Sequence, residues 1–190
     1  MTNKINLNKL RDKAYQCAKE HGWHESEKSN EHWFCLVISE LMEAVEADRM
    51  GRHANVERYK TITENSLICK GLNTMIPKEK GFIVAYEETI KNSVEEELAD
   101  ACIRLLDFAG LDNYDFDDYD FDDRLKVDYL SKSFTESIYI IVHCVMNWGI
   151  CDVLNEIFSF CWSRGINIMW HIEQKMKYNE LRPYKHGKLY

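Results

Sequence analysis

At 190 residues the chain is long enough for one domain with a full core. Its 32 Asp and Glu against 24 Lys and Arg leave a net charge of −8, which argues against binding a nucleic-acid polymer, because that needs a basic footprint. The start MTNKINLNKL has no apolar signal core, and apolar runs such as Ile138 to Val142 are far too short to cross a bilayer. Seven cysteines, an odd number without a CxxC pair, read as reduced thiols rather than disulfides or a zinc site. A cytoplasmic protein without a membrane partner is expected.

In chain order, periodicity predicts a helix from about Leu7 to His21, a turn through Gly22, and a second helix from about Glu31 to Met50 with Ser29 or Asn30 as its N-cap. On the second helix Phe34, Val37, Ile38, Leu41 and Val45 form one apolar stripe. Glu40 and Glu43 fall on a different arc, beside Leu36 and Ala47, which suggests a partly buried second face. Residues 51 to 93 carry mixed patterning, Lys-Gly and Pro-Lys turn signals and a β-like FIVAY at 82 to 86, and no element is assigned there.

A helix follows from about Val94 to Ala109. Leu98, Cys102, Leu105 and Leu106 make its core stripe, while Glu97, Asp100 and Arg104 share another arc with Ala101 and Phe108. YDFDD at 114 to 118 then repeats at 119 to 123. Without the central Gly and distal Glu of an EF-hand, this reads as a solvated connector rather than a calcium loop. Helices resume from about Phe134 to Met146, Asp152 to Trp162 and Ile166 to Leu181, the last stopped by Pro183. Only two prolines occur, and glycines punctuate the periodic stretches, so the expected class is all-α, a helical bundle.

Two features of this bundle carry chemistry. Glu40 with Glu43, and Glu97 with Asp100, are spaced i, i+3, which puts each pair on one helical face. Two such helices packed together would gather four acidic oxygen donors that repel unless a cation neutralises them. Carboxylates alone suit Mg²⁺, with Mn²⁺ as an alternative, whereas zinc would call for His or Cys in the set. Arg104 could pair with these acids or reach a phosphate.

The second feature is the last helix. Ile168, Met169, Ile172 and Met176 form a packing stripe, and His171, Lys175, Tyr178, Asn179 and Arg182 run along another side. From Lys175 to Tyr190 there are five Lys or Arg against one Glu, a basic end on an acidic chain that would suit a polyphosphate beside a metal site.

ISELMEAVEADR, EEELADACIRLLDFAG and KMKYNELRPYKHGK, in that order, resemble the MazG-like branch of the all-α nucleoside triphosphate pyrophosphohydrolase superfamily. The resemblance covers roughly residues 5 to 50 and 94 to 187. It implies a single helical domain over residues 1 to 190 with an insertion at about 51 to 93. It also implies Mg²⁺-dependent hydrolysis of a nucleoside triphosphate to the monophosphate and pyrophosphate, and a homodimer or homotetramer. Carried onto this chain, the metal ligands fall on Glu40, Glu43, Glu97 and Asp100, and the substrate-binding set on Lys175, Asn179 and Arg182, with Arg104 beside them. Residues 44 to 96 between the acidic motifs are longer than the usual connector.

The hydrolytic mechanism so implied needs a carboxylate to take a proton from water, and Glu43 and Glu97 are both candidates. Trp23, Trp33 and Asn179 are available for base recognition, although indoles more often serve packing. Two other readings compete. A ferritin-like di-iron bundle requires Glu-x-x-His, which this chain lacks. A non-catalytic binding or assembly module on the same scaffold would bind metal weakly or not at all.

Overall fold

The computed structural model describes residues 6–68, 78–116, 128–147 and 149–187, and among these every regular element is helical. The helices are α1 (Leu7–Glu20), α2 (Asn30–Arg49), α3 (Val56–Ile68), α4 (Lys78–Thr89), α5 (Val94–Leu111), α6 (Phe134–Asn147), α7 (Ile150–Ser163) and α8 (Ile168–Glu180), with 3₁₀ turns at Tyr129–Ser131 and Tyr184–Gly187. The second copy of YDFDD and the turn signals around Pro77 lie outside the described residues.

Local chemistry sets the ends of these helices. Asn6 accepts from the Lys9 amide at the start of α1, Ser93 from the Glu96 amide at the start of α5, and Asn167 from the Trp170 amide at the start of α8, each filling one of the donors a helix N-terminus leaves open. Ser29 sits at the N-cap of α2 without a side-chain cap bond. Gly22 ends α1 at φ +79°, a left-handed conformation that a Cβ would disfavour.

Helix α5 is the axis of the bundle. Thirteen of its 18 residues are buried, far more than one stripe, because α1, α2, α7 and α8 all pack against it. Gly110 allows the approach of α1, since a Cβ there would lie 2.4 Å from Tyr15 Cβ. The α2 core face is turned from the expected stripe. Trp33, Val37, Glu40, Leu41, Ala44 and Ala47 are buried, whereas Phe34, Ile38 and Val45 are only half-buried. The reason is that α2 serves two neighbours, α5 and α6, so the acidic arc becomes the α5-facing one.

Residues 51 to 93 hold two helices where sequence patterning assigns none, and FIVAY lies inside α4 rather than in a strand. Phe82, Ala85, Tyr86 and Ile90 are buried at i, i+3, i+4 and i+8, while Val84 is exposed and Ile83 half-buried. The 3.6-residue period therefore outweighs the β-branched pair. With Tyr59 and Tyr178, these residues form a second, smaller apolar cluster that seats α3 and α4 against α8. The ends of this excursion meet: the Asn55 amide donates to Thr89 O (2.8 Å) and the Val94 amide to Arg52 O (3.0 Å). A segment whose two ends are adjacent can be accommodated without disturbing the helices on either side of it.

Gly110→Ala should show how tight the α1–α5 contact is. In an open helix this change stabilises by about 1 kcal/mol, but overpacking against the first side-chain atom of Tyr15 costs about 1–3 kcal/mol, so urea unfolding should give a net loss of stability.

Candidate metal centre

Helices α2 and α5 bring Glu40, Glu97 and Asp100 together, with one carboxylate oxygen from each lying within 4.8 Å of the others. Glu40 and Glu97 are buried and Asp100 half-buried. Glu43 is exposed and stands outside this trio, although it borders the same cavity. Burial, reinforced by the charges of Asp100 and Glu96, pushes the Glu97 carboxyl up to about 8. Burial and then Asp100 raise Glu40 too, against the pull of Arg104. Three converging oxygen ligands, two of them poorly stabilised as bare anions, form a donor set that fits a hard divalent cation such as Mg²⁺ or Mn²⁺.

Two cations already touch the acids. Arg104 Nε donates to Glu40 Oε1 at 2.5 Å. Lys175, reaching in from α8, places its Nζ 2.7 Å from Asp100 Oδ2 and 2.5 Å from Glu96 Oε1. Burial opposes the charge on Lys175, yet Asp100 and Glu96 outweigh it and hold the ammonium protonated above the ordinary lysine range. Glu97 has no cation within ion-pair distance among the described residues.

Glu96 is the participant that the i, i+3 reading misses. It is 2% exposed and accepts from Tyr86 Oη (2.9 Å), from the Asn92 amide and from Lys175. The signal was present, since Glu96 and Asp100 are spaced i, i+4 and that spacing also shares a face. Its partner Tyr86 comes from α4, in a stretch that sequence patterning leaves unassigned.

A cavity of about 240 Å³ lies over this cluster, bordered by α1, α2, α5 and α8 and by the segment after α1. Acids floor it, while Lys28, Lys91, Arg182 and Lys185 add positive charge around it. Arg182 has no ion pair among the described residues, and its guanidinium lies 5.9 Å from the Tyr178 ring centroid. Trp23, Trp33, Leu36 and Ile103 add apolar and aromatic lining. Trp33 packs in the core near His24 (ring centroids 5.2 Å apart), and His24 Nε2 meets Asp107 Oδ1 at 2.7 Å. Trp33 Nε1 and Asn179 Oδ1 are buried without a hydrogen-bond partner, and both residues border the cavity. Orphaned polar atoms there cost stability until a ligand pairs them.

The C-terminal segment is strapped across one end of the cavity. His21 Nε2 bonds the Arg182 carbonyl (3.0 Å), the Lys185 amide donates to His21 O (3.1 Å), and Lys185 Nζ and Tyr184 Oη both reach Glu25. His171, on the same helical side as Lys175, is instead a packing residue, and burial lowers it to about 4.

The raised Glu97 carboxyl gives a pH signature. Between its unfolded value of 4.5 and about 8, the folded protein keeps a proton that the unfolded chain releases, so the stability of the metal-free protein should fall as pH rises through that window and level off above it. Melting curves from pH 5 to 9 test this, and Glu97→Gln should flatten the slope. Added Mg²⁺ or Mn²⁺ should stabilise more as pH rises, because only the ionised trio binds it.

Compared with protein-family models, with curated proteins and with solved structures, the chain matches none.

Proposed function

We propose that this protein is a divalent-metal-dependent nucleoside triphosphate pyrophosphohydrolase of the MazG-like kind, releasing a nucleoside monophosphate and pyrophosphate. The observation that carries the reading is the convergence of Glu40, Glu97 and Asp100 from two helices at a cavity whose lining combines lysines and arginines with aromatic rings. That lining suits a ligand with a polyanionic end and a flat ring.

Glu40, Glu97 and Asp100 would hold the ion, Mg²⁺ or Mn²⁺, which supplies phosphate charge neutralisation and water activation when bound. Arg182, without an ion pair among the described residues, is the first candidate to bind phosphate oxygens, and Arg104 and Lys175 lie where further charge is needed. Water bonds to phosphorus as the anhydride bond to the pyrophosphate leaving group breaks, and the water proton passes to a carboxylate. Glu43, at the edge of the cavity and outside the trio, fits that base role better than Glu97, whose buried position favours a ligand role. Trp33 Nε1 and Asn179 Oδ1 offer one donor and one acceptor to the base or sugar.

A cytoplasmic setting and a homodimer or homotetramer belong to the same reading. Tyr139 and Met146, seven residues apart on α6 and 72% and 73% exposed, are apolar surface that such an assembly would cover. No helix among the described residues is long and apolar enough to cross a membrane. The competing reading, a non-catalytic module, is favoured by one observation: Arg104 and Lys175 already pair with the acids.

A screen of nucleoside triphosphates for Mg²⁺-dependent pyrophosphate release decides between them. Activity should vanish in Glu40→Ala, Glu97→Ala and Asp100→Ala. Arg182→Ala should lose about 1–3 kcal/mol of transition-state stabilisation with unchanged metal affinity. No release from any triphosphate would overturn the hydrolase reading.

A further inference from the structure

Lys175 is badly placed for a residue whose only task is to meet phosphate. The residue is 5% exposed, and its ammonium is already shared between Asp100 Oδ2 and Glu96 Oε1 at 2.7 and 2.5 Å. Asp100 belongs to the acid trio, so Lys175 covers an oxygen of a metal-ligand candidate. Glu96 lies outside the trio and is fixed independently by Tyr86 and the Asn92 amide. A lysine held by one anchored acid and one metal-binding acid can give up the second while keeping the first, because its stem is a flexible four-carbon chain.

We propose that Lys175 is a tethered cation filling a second cation place in the acid cluster, so that the protein takes one divalent ion until Lys175 leaves Asp100. Charge supports the count. Once all four acids are ionised, as cation binding requires, Glu40, Glu96, Glu97 and Asp100 face Arg104 and Lys175, leaving two negative charges, which one divalent ion balances. The buried, unpartnered indole N–H of Trp33 on the same cavity is independent evidence of space made for a ligand. A second ion, arriving with a phosphate-bearing ligand, would bind Asp100 as the ammonium swings toward phosphate with Glu96 as its pivot. The inference rests on the metal-site part of the proposed function and adds the stoichiometry and the role of Lys175.

Titration with Mn²⁺ alone, followed by calorimetry and by the paramagnetic resonance signal of free Mn²⁺, tests it without any substrate. Wild type should bind one ion per chain, and Lys175→Met should bind two. Removal of Lys175 leaves Glu96 and Asp100 unpaired and could unfold the protein, so the double variant Glu96→Gln with Lys175→Met removes both partners of the buried pair. It should fold, which circular dichroism would verify, and bind its ion at least about tenfold more tightly than wild type, because Asp100 is freed. Wild-type count and affinity in both variants would overturn the proposal while leaving the hydrolase reading intact. Mn²⁺ binding as expected, with no pyrophosphate released from any nucleoside triphosphate, would overturn the hydrolase reading and support the role of Lys175. No Mn²⁺ binding at millimolar concentration in any of the three proteins would overturn both.

Discussion

Carboxylates buried among apolar side chains must find positive charge or give up their own, and α5 confronts the fold with that requirement along most of its length. Packed on by four helices, it still carries Glu96, Glu97, Asp100, Arg104 and Asp107. Neighbouring segments and α5 itself answer most of this charge. Helix α8 brings Lys175 to Asp100 and Glu96, the segment after α1 brings His24 to Asp107, and Arg104 on α5 itself turns to Glu40 on α2. Glu97 is answered by no ion pair among the described residues, and its carboxyl rises to about 8. Apolar residues of similar volume would often make a more stable core than such pairs. The cost is concentrated in one place, over a cavity, as expected where binding rather than stability is served.

Much of the frame was legible because long amphipathic helices announce themselves. The boundaries of α1, α2, α5, α6, α7 and α8 lie within about two residues of those that periodicity and capping suggest. The acid trio was legible for the same reason, since one spacing rule puts Glu97 and Asp100 on one face and Glu40 on the facing helix. What failed was local and has physical causes. A stretch of three consecutive glutamates hides which ones face inward, and only packing by α8 and α4 singles out Glu96. FIVAY carries β-branched residues whose strand preference is overridden by a tertiary surface that rewards Phe82, Ala85 and Tyr86 on one helical side. Glu43 shares a spacing with Glu40 and borders the same cavity, but it is exposed and outside the converging trio.

The segment between α2 and α5 does more than connect them. Tyr86 stacks on Tyr178 (centroids 4.3 Å apart, planes 13° apart) and bonds Glu96, Tyr178 Oη bonds Glu87, and Tyr59 Oη bonds Gln174. Helix α8, which brings Lys175, Asn179 and Arg182 to the cavity, is thus held on two sides, by α5 through charge and by α3 and α4 through aromatic packing. Where a residue on α8 points therefore depends on a segment far from it in sequence.

Because α3 and α4 rest on their own small apolar cluster while α5 lies at the centre of the large one, the two sides of the charge network have unequal resistance to opening. Fluctuations that lift the pair away expose Tyr86 and wet Glu96 and Lys175 from behind, with α5 still folded. Protons and water then have a rear entrance to the cluster, separate from the mouth beneath the C-terminal strap. Amide exchange in α4 would run ahead of exchange in α5, and the electrostatic character of the floor would vary with the breathing of a helix pair whose C-terminal flank, Lys91 and Asn92, also borders the cavity.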